Sequence, residues 1–184
     1  MDILTIFAAL LISFSFSTSQ QQTETTTQEV VNILKPETSN GFIVKNQDYT
    51  LHFDVENMIG QKPTLVIFIE LHNGSHYISP FAKRDFKGKF YMDLGSYTDL
   101  DFDGDIIETP PSFEEFDSHP FVAGNVNWVW VNTTYTQALK VLSEDDFEVF
   151  GRLRFTIEPR CTMEEIPFAI SYKDGEMKIL SPKC

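Results

Sequence analysis

Cysteine is scarce in this sequence, whose 184 residues include only Cys161 and Cys184. This count excludes a disulfide-rich scaffold, and the absence of a CxxC pair excludes redox chemistry of the thioredoxin type. If the chain is exported to an oxidising compartment, Cys161 and Cys184 are predicted to form a disulfide, with two free thiols as the alternative. The bond would close a loop of about two dozen residues and stabilise the fold by about 3 kcal/mol.

Basic residues are absent from one long part of the chain. No Lys or Arg occurs between residues 90 and 139, and the formal net charge of the whole sequence is -13. Nucleic acid and anionic membrane surfaces are therefore poor partners, whereas cations, basic proteins or neutral ligands fit the charge better. The acidic residues of this window are Asp93, Asp99, Asp101, Asp103, Asp105, Glu108, Glu114, Glu115 and Asp117.

Signatures of catalysis are missing as well. The sequence has no GxSxG motif, and its four histidines have no Ser or Cys companion that would indicate nucleophilic catalysis. The acidic window could supply the two carboxylates of a small carbohydrate-active enzyme, which we keep as a second alternative. We predict that the protein is not an enzyme, and we assign no catalytic residue.

Only one long hydrophobic run is present, at the N-terminus. Residues 3–16 are almost entirely apolar, and the small residues Ser17 and Ser19 precede a cleavage site before Gln20. The pattern predicts a signal peptide over residues 1–19 and a secreted or periplasmic protein with no membrane insertion after its removal. Residues 20–40 are predicted to be a flexible polar leader, because a Thr- and Gln-rich segment cannot bury enough apolar surface to fold.

Strand signals dominate the remaining sequence. Short runs of β-branched and aromatic residues are separated by Gly, Pro, Asn and Asp, which predicts an all-β, mostly antiparallel sandwich of the Ig-like or jelly-roll type over residues 41–184. Only residues 135–142 and 143–147 are compatible with a helical turn. The predicted strands are 29–34, 42–45, 49–55, 64–71, 75–79, 89–94, 122–131, 148–158, 166–172 and 177–180.

Asn73-Gly74 is a type I′ turn signal between two predicted strands. A two-residue loop here would pair strand 64–71 with strand 75–79 and place Tyr77 on the polar face of the hairpin. In the same register His72 and His76 fall on opposite faces, so we expect no histidine metal site.

Asp174-Gly175 predicts a second hairpin, in which Tyr172 faces Met177. The register, continued to the end of the chain, brings Cys184 opposite Glu165, four residues beyond Cys161. The predicted disulfide therefore requires residues 162–165 to curl back.

The stretch TDLDFDGDIIETPPSFEEFD, residues 98–117, contains the pattern DxDxDG. Alternate Asp carboxylates before a Gly can surround Ca²⁺, and over six residues the stretch resembles the loop of EF-hand and dockerin proteins. The twelfth loop position is Pro110, where that family has a bidentate carboxylate, so the resemblance does not extend to the EF-hand fold. The predicted calcium ligands are Asp99, Asp101, Asp103, Asp105 and Glu108, and an acidic solvated loop is the alternative.

The run NWVWV, residues 127–131, places Trp128 and Trp130 on one face of a predicted strand. Two indoles in this arrangement can form a stacking platform for a ligand, or they can fill the core. From these features we predict an exported, non-enzymatic binding or accessory domain whose partner is a protein or a carbohydrate. A structural or adhesion module stabilised by calcium is the first alternative, and no other cofactor is expected.

Overall fold

Antiparallel strands make up the regular structure of the part of the chain that the structure describes. The computed structural model describes residues 41–58, 60–120 and 122–182, and among these residues it contains strands but no helix. No helix in the described part of the chain could therefore cross a membrane. The predicted all-β, antiparallel class is confirmed and is consistent with a β-sandwich. The predicted signal peptide (1–19), leader (20–40) and strand 29–34 lie outside the described residues.

The strands form three sheets. The first has the order β1-β2-β3-β10-β6, with β7 also paired to β10, the second has the order β13-β12-β11-β5, and the third has the order β4-β9-β8. In chain order the strands are β1 (Phe42–Lys45), β2 (Tyr49–Glu56), β3 (Thr64–Leu71), β4 (Tyr77–Ile78), β5 (Tyr91–Asp93), β6 (Leu100–Phe102), β7 (Ile107–Thr109), β8 (Glu114–Asp117), β9 (Gly124–Val129), β10 (Thr133–Val141), β11 (Phe147–Ile157), β12 (Thr162–Lys173) and β13 (Glu176–Leu180).

The main hydrophobic core consists mostly of side chains from the first and second sheets, with Tyr77 and Val129 added from the third. Alternate residues along each strand point into it, as the two-residue period of a strand requires. Phe53 on β2 and Ile67 on β3 come from the first sheet, and Phe155 on β11 and Phe168 on β12 come from the second, all fully buried. Complete burial of one such side chain stabilises the fold by about 1.5–3 kcal/mol. A smaller cluster of Ile78, Ala82, Val122 and Val126 involves the third sheet.

The second predicted hairpin is confirmed. Lys173 faces Glu176 and Tyr172 faces Met177 across the Asp174-Gly175 turn, and the ladder continues to Ala169 opposite Leu180. Both turn residues have positive φ, 50° and 81°, as a type I′ turn requires.

The first predicted hairpin is wrong in its pairing. The turn forms, with Asn73 and Gly74 at φ 55° and 73°, but β3 pairs with β2 and β10, while β4 pairs with β9. Both edges of β3 are already occupied, so the chain after the turn leaves the first sheet and enters the third. Tyr77, predicted on the polar face, is completely buried in the main core.

β12 is extended throughout, so the predicted curl at residues 162–165 is wrong. Its ladder with β11 starts at Thr162, opposite Ile157, without interruption. Ala169 is paired with Leu180. Cys161 precedes Ala169 by eight residues along the chain, which is about 26 Å at strand spacing. The four residues that follow Leu180 span at most about 14 Å, which is too short to cover that distance. Cys161 is exposed and has no disulfide partner among the described residues. Cys184 lies outside them, so the disulfide stays a prediction, and it would require part of the β12–β13 ladder to open.

The helical turn with which residues 135–142 are compatible does not form. This segment belongs to β10, which pairs with β3 along its first six residues and with β6 and β7 on its other edge. Thr133, Tyr135, Gln137 and Leu139 are buried in strict alternation. The helix formers Ala138, Leu139 and Lys140 obscure this period of two, and long-range pairing overrides their local preference. Residues 143–147 form a bend and the start of β11.

Candidate functional site

The acidic stretch 98–117 is divided among three short strands. It contributes β6, β7 and β8, and both β6 and β7 pair with β10. The backbone is therefore held extended along β10 and does not wind around a central point, as a calcium loop does. Within the described ranges, no group of three or more His, Cys, Asp or Glu residues is placed to hold a metal ion.

The five predicted calcium ligands do not converge. Asp101 and Asp105 are exposed, and Asp99 is half-buried. Asp103 forms an ion pair with Lys62, whose ammonium lowers the pKa of the Asp103 carboxyl. Glu108 points into the protein. Calcium binding by these residues stays a prediction that the described geometry does not support.

Glu108 is a buried carboxylate with three hydrogen-bond donors. Its Oε2 accepts hydrogen bonds from the hydroxyls of Ser79 and Tyr135, each at 2.7 Å, and its Oε1 accepts one from the backbone N–H of Ser112 at 2.6 Å. Tyr135 in turn accepts a hydrogen bond from the Tyr77 hydroxyl at 3.1 Å. An ionised carboxyl is an acceptor only, so a set of three donors suits it, and the chained hydroxyls strengthen one another.

This network holds one wall of a surface groove. Ser112 lies in the segment between β7 and β8, and its hydrogen bond to Glu108 ties that segment to the buried side chains of β4 and β10. The end of β9 and the residues after it also line this groove. The groove, which we call the tryptophan groove, has a volume of ≈ 350 Å³ and is lined by Pro110, Pro111, Ser112, Phe113, Glu115, Trp128, Val129, Trp130, Val131 and Thr133.

Carboxylates on β8 orient both indoles of the groove. The Trp130 indole N–H donates to Glu115 Oε1 at 3.1 Å, and the Trp128 indole N–H donates to Asp117 Oδ2 at 3.0 Å. The backbone N–H of His119, followed by the Trp128 indole, lowers the pKa of the Asp117 carboxyl and so favours the accepting, ionised form. The rings lie 6.2 Å apart between centroids at an angle of 55°.

His76 supports the outer indole. Its ring stacks on Trp130 at 3.8 Å between centroids with an interplanar angle of 23°, and it meets Trp128 edge-on at 5.0 Å. His76 does not line the groove. Trp130 nevertheless stays 54 % exposed, and Phe113, which also lines the groove, is 80 % exposed. The groove therefore presents aromatic surface to solvent that the protein's own side chains leave uncovered.

The structure brings together two of the residues singled out in the sequence, Trp128 and Trp130, and adds others that sequence reasoning missed. Phe113 and the two prolines before it are the main additions. An apolar aromatic residue within a strongly acidic segment is a signal that could have identified Phe113. The roles of Glu115 and His76 depend on the pairing of β8 with β9 and on the course of β4, which no local pattern reveals.

Replacement of Glu108 by Gln should weaken the fold. All three partners of Glu108 donate hydrogen bonds, whereas the Gln side chain has one acceptor and one N–H₂ donor group. In one orientation of the Gln amide the N–H₂ group would face the Ser112 N–H, and in the other it would face the two hydroxyls, so one end would bring donors together. We expect the free energy of unfolding, measured with urea, to fall by about 1–3 kcal/mol. Glu114→Gln is the control, because Glu114 forms only a surface ion pair with Lys83. Equal stability of the two variants would contradict the network.

Alkaline pH should unfold the protein as its buried phenols ionise. Burial raises the pKa of the Tyr49, Tyr77 and Tyr135 hydroxyls, and the carboxylates of Glu164 and Glu108 add to this rise. The pKa of each of these phenols is higher in the folded state than in the unfolded state, where it is about 10. The stabilisation of the folded state that follows from this difference is complete below the unfolded-state pKa and is lost as the pH rises above it. Phenolate absorbance of these residues should therefore appear together with the loss of far-UV circular dichroism. Complete phenol ionisation with an intact spectrum would contradict this burial.

Comparison with known proteins adds no family assignment. No protein-family model matches the chain, and no curated protein or solved structure is significantly similar to it.

Proposed function

We propose that this chain is an exported, non-enzymatic binding domain whose ligand lies in the tryptophan groove. The observation that carries the proposal is the exposed aromatic surface of Trp130 and Phe113, which both line one groove. Contiguous apolar surface of this kind marks interaction sites in soluble proteins, and ligand sites are concave and lined mainly by apolar and aromatic side chains.

Preorganisation of the groove supports the same function. Both indoles are held by hydrogen bonds to carboxylates on β8, and one is also stacked on His76. The wall that carries Phe113 is tied to the core through Ser112 and Glu108. Side chains that are already fixed lose little conformational entropy when a ligand binds, so more of the contact energy contributes to affinity.

A binding role also suits the lining better than glycoside hydrolysis does. That reaction uses two carboxyl groups on either side of the scissile bond. Glu115 supplies the one carboxylate of this lining, and it accepts a hydrogen bond from Trp130. Two further carboxylates lie close to the lining. Asp117 accepts a hydrogen bond from Trp128, and Glu108 is 7 % exposed and has three internal donors.

The test uses the fact that both tryptophans of the chain lie in the groove. A library of small aromatic, sugar and amine fragments is screened by ¹⁵N NMR on the exported chain. We expect binding fragments to shift both indole N–H signals, because any occupant of the groove contacts these rings.

Matched variants decide whether the groove is the site. Phe113→Ala should weaken fragment binding, whereas Phe116→Ala should not, because Phe116 is also strongly exposed but does not line the groove. Both changes are at the surface and should alter the free energy of unfolding by less than about 0.5 kcal/mol. Fragments that bind elsewhere, or an absence of any binding fragment, would overturn the proposed function.

A further inference from the structure

We infer that the tryptophan groove binds a quaternary ammonium group, an inference that rests on the proposed function. Three aromatic side chains line the groove, Trp128, Trp130 and Phe113, and the one charged side chain in its lining is the carboxylate of Glu115. No Lys, Arg or His lines it. Aromatic faces combined with a negative charge are the chemistry that attracts an organic cation.

The hydrogen bonds of the indoles favour a cation over a hydrogen-bonding ligand. Both indole N–H groups donate to carboxylates, so neither is available to a sugar hydroxyl or a peptide carbonyl. An anionic acceptor at the indole nitrogen also pushes electron density into the ring, which makes the ring face more attractive to a positive charge. Glu115 and Asp117 therefore act on the ligand through the rings as well as through their own charge.

The remaining polar groups of the groove side chains offer a ligand little. The Thr133 hydroxyl donates to the Val131 carbonyl at 2.9 Å, and the Ser112 N–H donates to Glu108. The Ser112 Oγ has no hydrogen-bond partner among the described residues, but it is buried and so is not open to a ligand. A sugar would therefore leave most of its hydroxyls without partners, which is costly. A primary ammonium would bring three N–H donors against the single carboxylate of Glu115. A trimethylammonium group has no N–H donor, so it leaves no donor without a hydrogen-bond partner when it enters the groove.

The charge around the groove also favours a cation. The segment from residue 90 to residue 139, which supplies the whole lining, contains no Lys or Arg. Basic groups near β8 and β9 all lie outside the lining. Lys83 is paired with Glu114, Arg84 donates to the Val122 carbonyl, and His76 and His119 lie close to Asp117. The resulting negative potential raises the local concentration of cations at the groove.

The experiment is a titration of the chain with choline, followed by tryptophan fluorescence and by the indole N–H signals. The control ligand is the neutral tert-butyl isostere of choline, which has the same shape but no charge. We expect choline to bind about tenfold more tightly than the isostere, the difference that a desolvated cation–π contact makes. Ethanolamine, which lacks the methyl groups, should bind more weakly than choline.

Variants separate the charge from the shape. Glu115→Gln keeps an acceptor for the Trp130 indole and removes the charge, so the preference for choline over its isostere should shrink. Trp130→Ala should abolish choline binding, with Trp128 left as the fluorescent reporter. Phe116→Ala should leave choline binding unchanged.

Phosphocholine and a trimethyl-lysine peptide distinguish a lipid-type from a protein-type source of the ammonium group. The negative potential at the groove should make phosphocholine bind more weakly than choline.

The outcomes separate this inference from the proposed function. If choline and its isostere bind equally, or if aromatic fragments enter the groove and choline does not, the ammonium inference is overturned and the binding function stands. If neither fragments nor choline perturb the indole signals, both proposals fail. Tighter binding of sugars than of choline, with the same dependence on Trp130, would also overturn the ammonium inference.

Discussion

A buried carboxylate, that of Glu108, joins the first sheet, the third sheet and the wall of the tryptophan groove. Its partners come from β10, from the end of β4 and from the segment before β8. A charge in this position would be very costly without partners, and three donors together compensate for the lost hydration. Since the same three bonds fix the segment with Phe113, the shape of the groove depends on the interior of the protein.

The acidic window thus has several separate physical roles. Glu108 is structural and buried, whereas Glu115 and Asp117 orient indoles at the surface. Asp103 pairs with Lys62, and Asp93 pairs with Arg152 on β11 while the Gly95 N–H and that guanidinium lower the pKa of the Asp93 carboxyl. The acidic window is therefore distributed over all three sheets.

How far the sequence predicts this structure depends on how local each determinant is. The hairpin at Asp174-Gly175 is predictable because its turn residues and its alternation lie within one short segment. The hairpin at Asn73-Gly74 is not, because β10, some sixty residues further along, occupies the edge of β3 that β4 would need. The burial of Glu108 and the pairing of Trp130 with Glu115 depend on β7, β8 and β9 in the same way. Trp128 and Trp130 could be singled out because their shared face follows from a strand period alone.

Native-state hydrogen exchange of the Ser112 amide tests the central role of Glu108 most directly. If the Glu108 carboxylate ties the groove wall to the core, this amide should exchange only through global unfolding, with the same denaturant dependence as amides in the centre of β10. The neighbouring Phe113 amide serves as the comparison in the same spectrum. Exchange of the Ser112 amide at the rate of an open loop, independent of denaturant, would contradict the account.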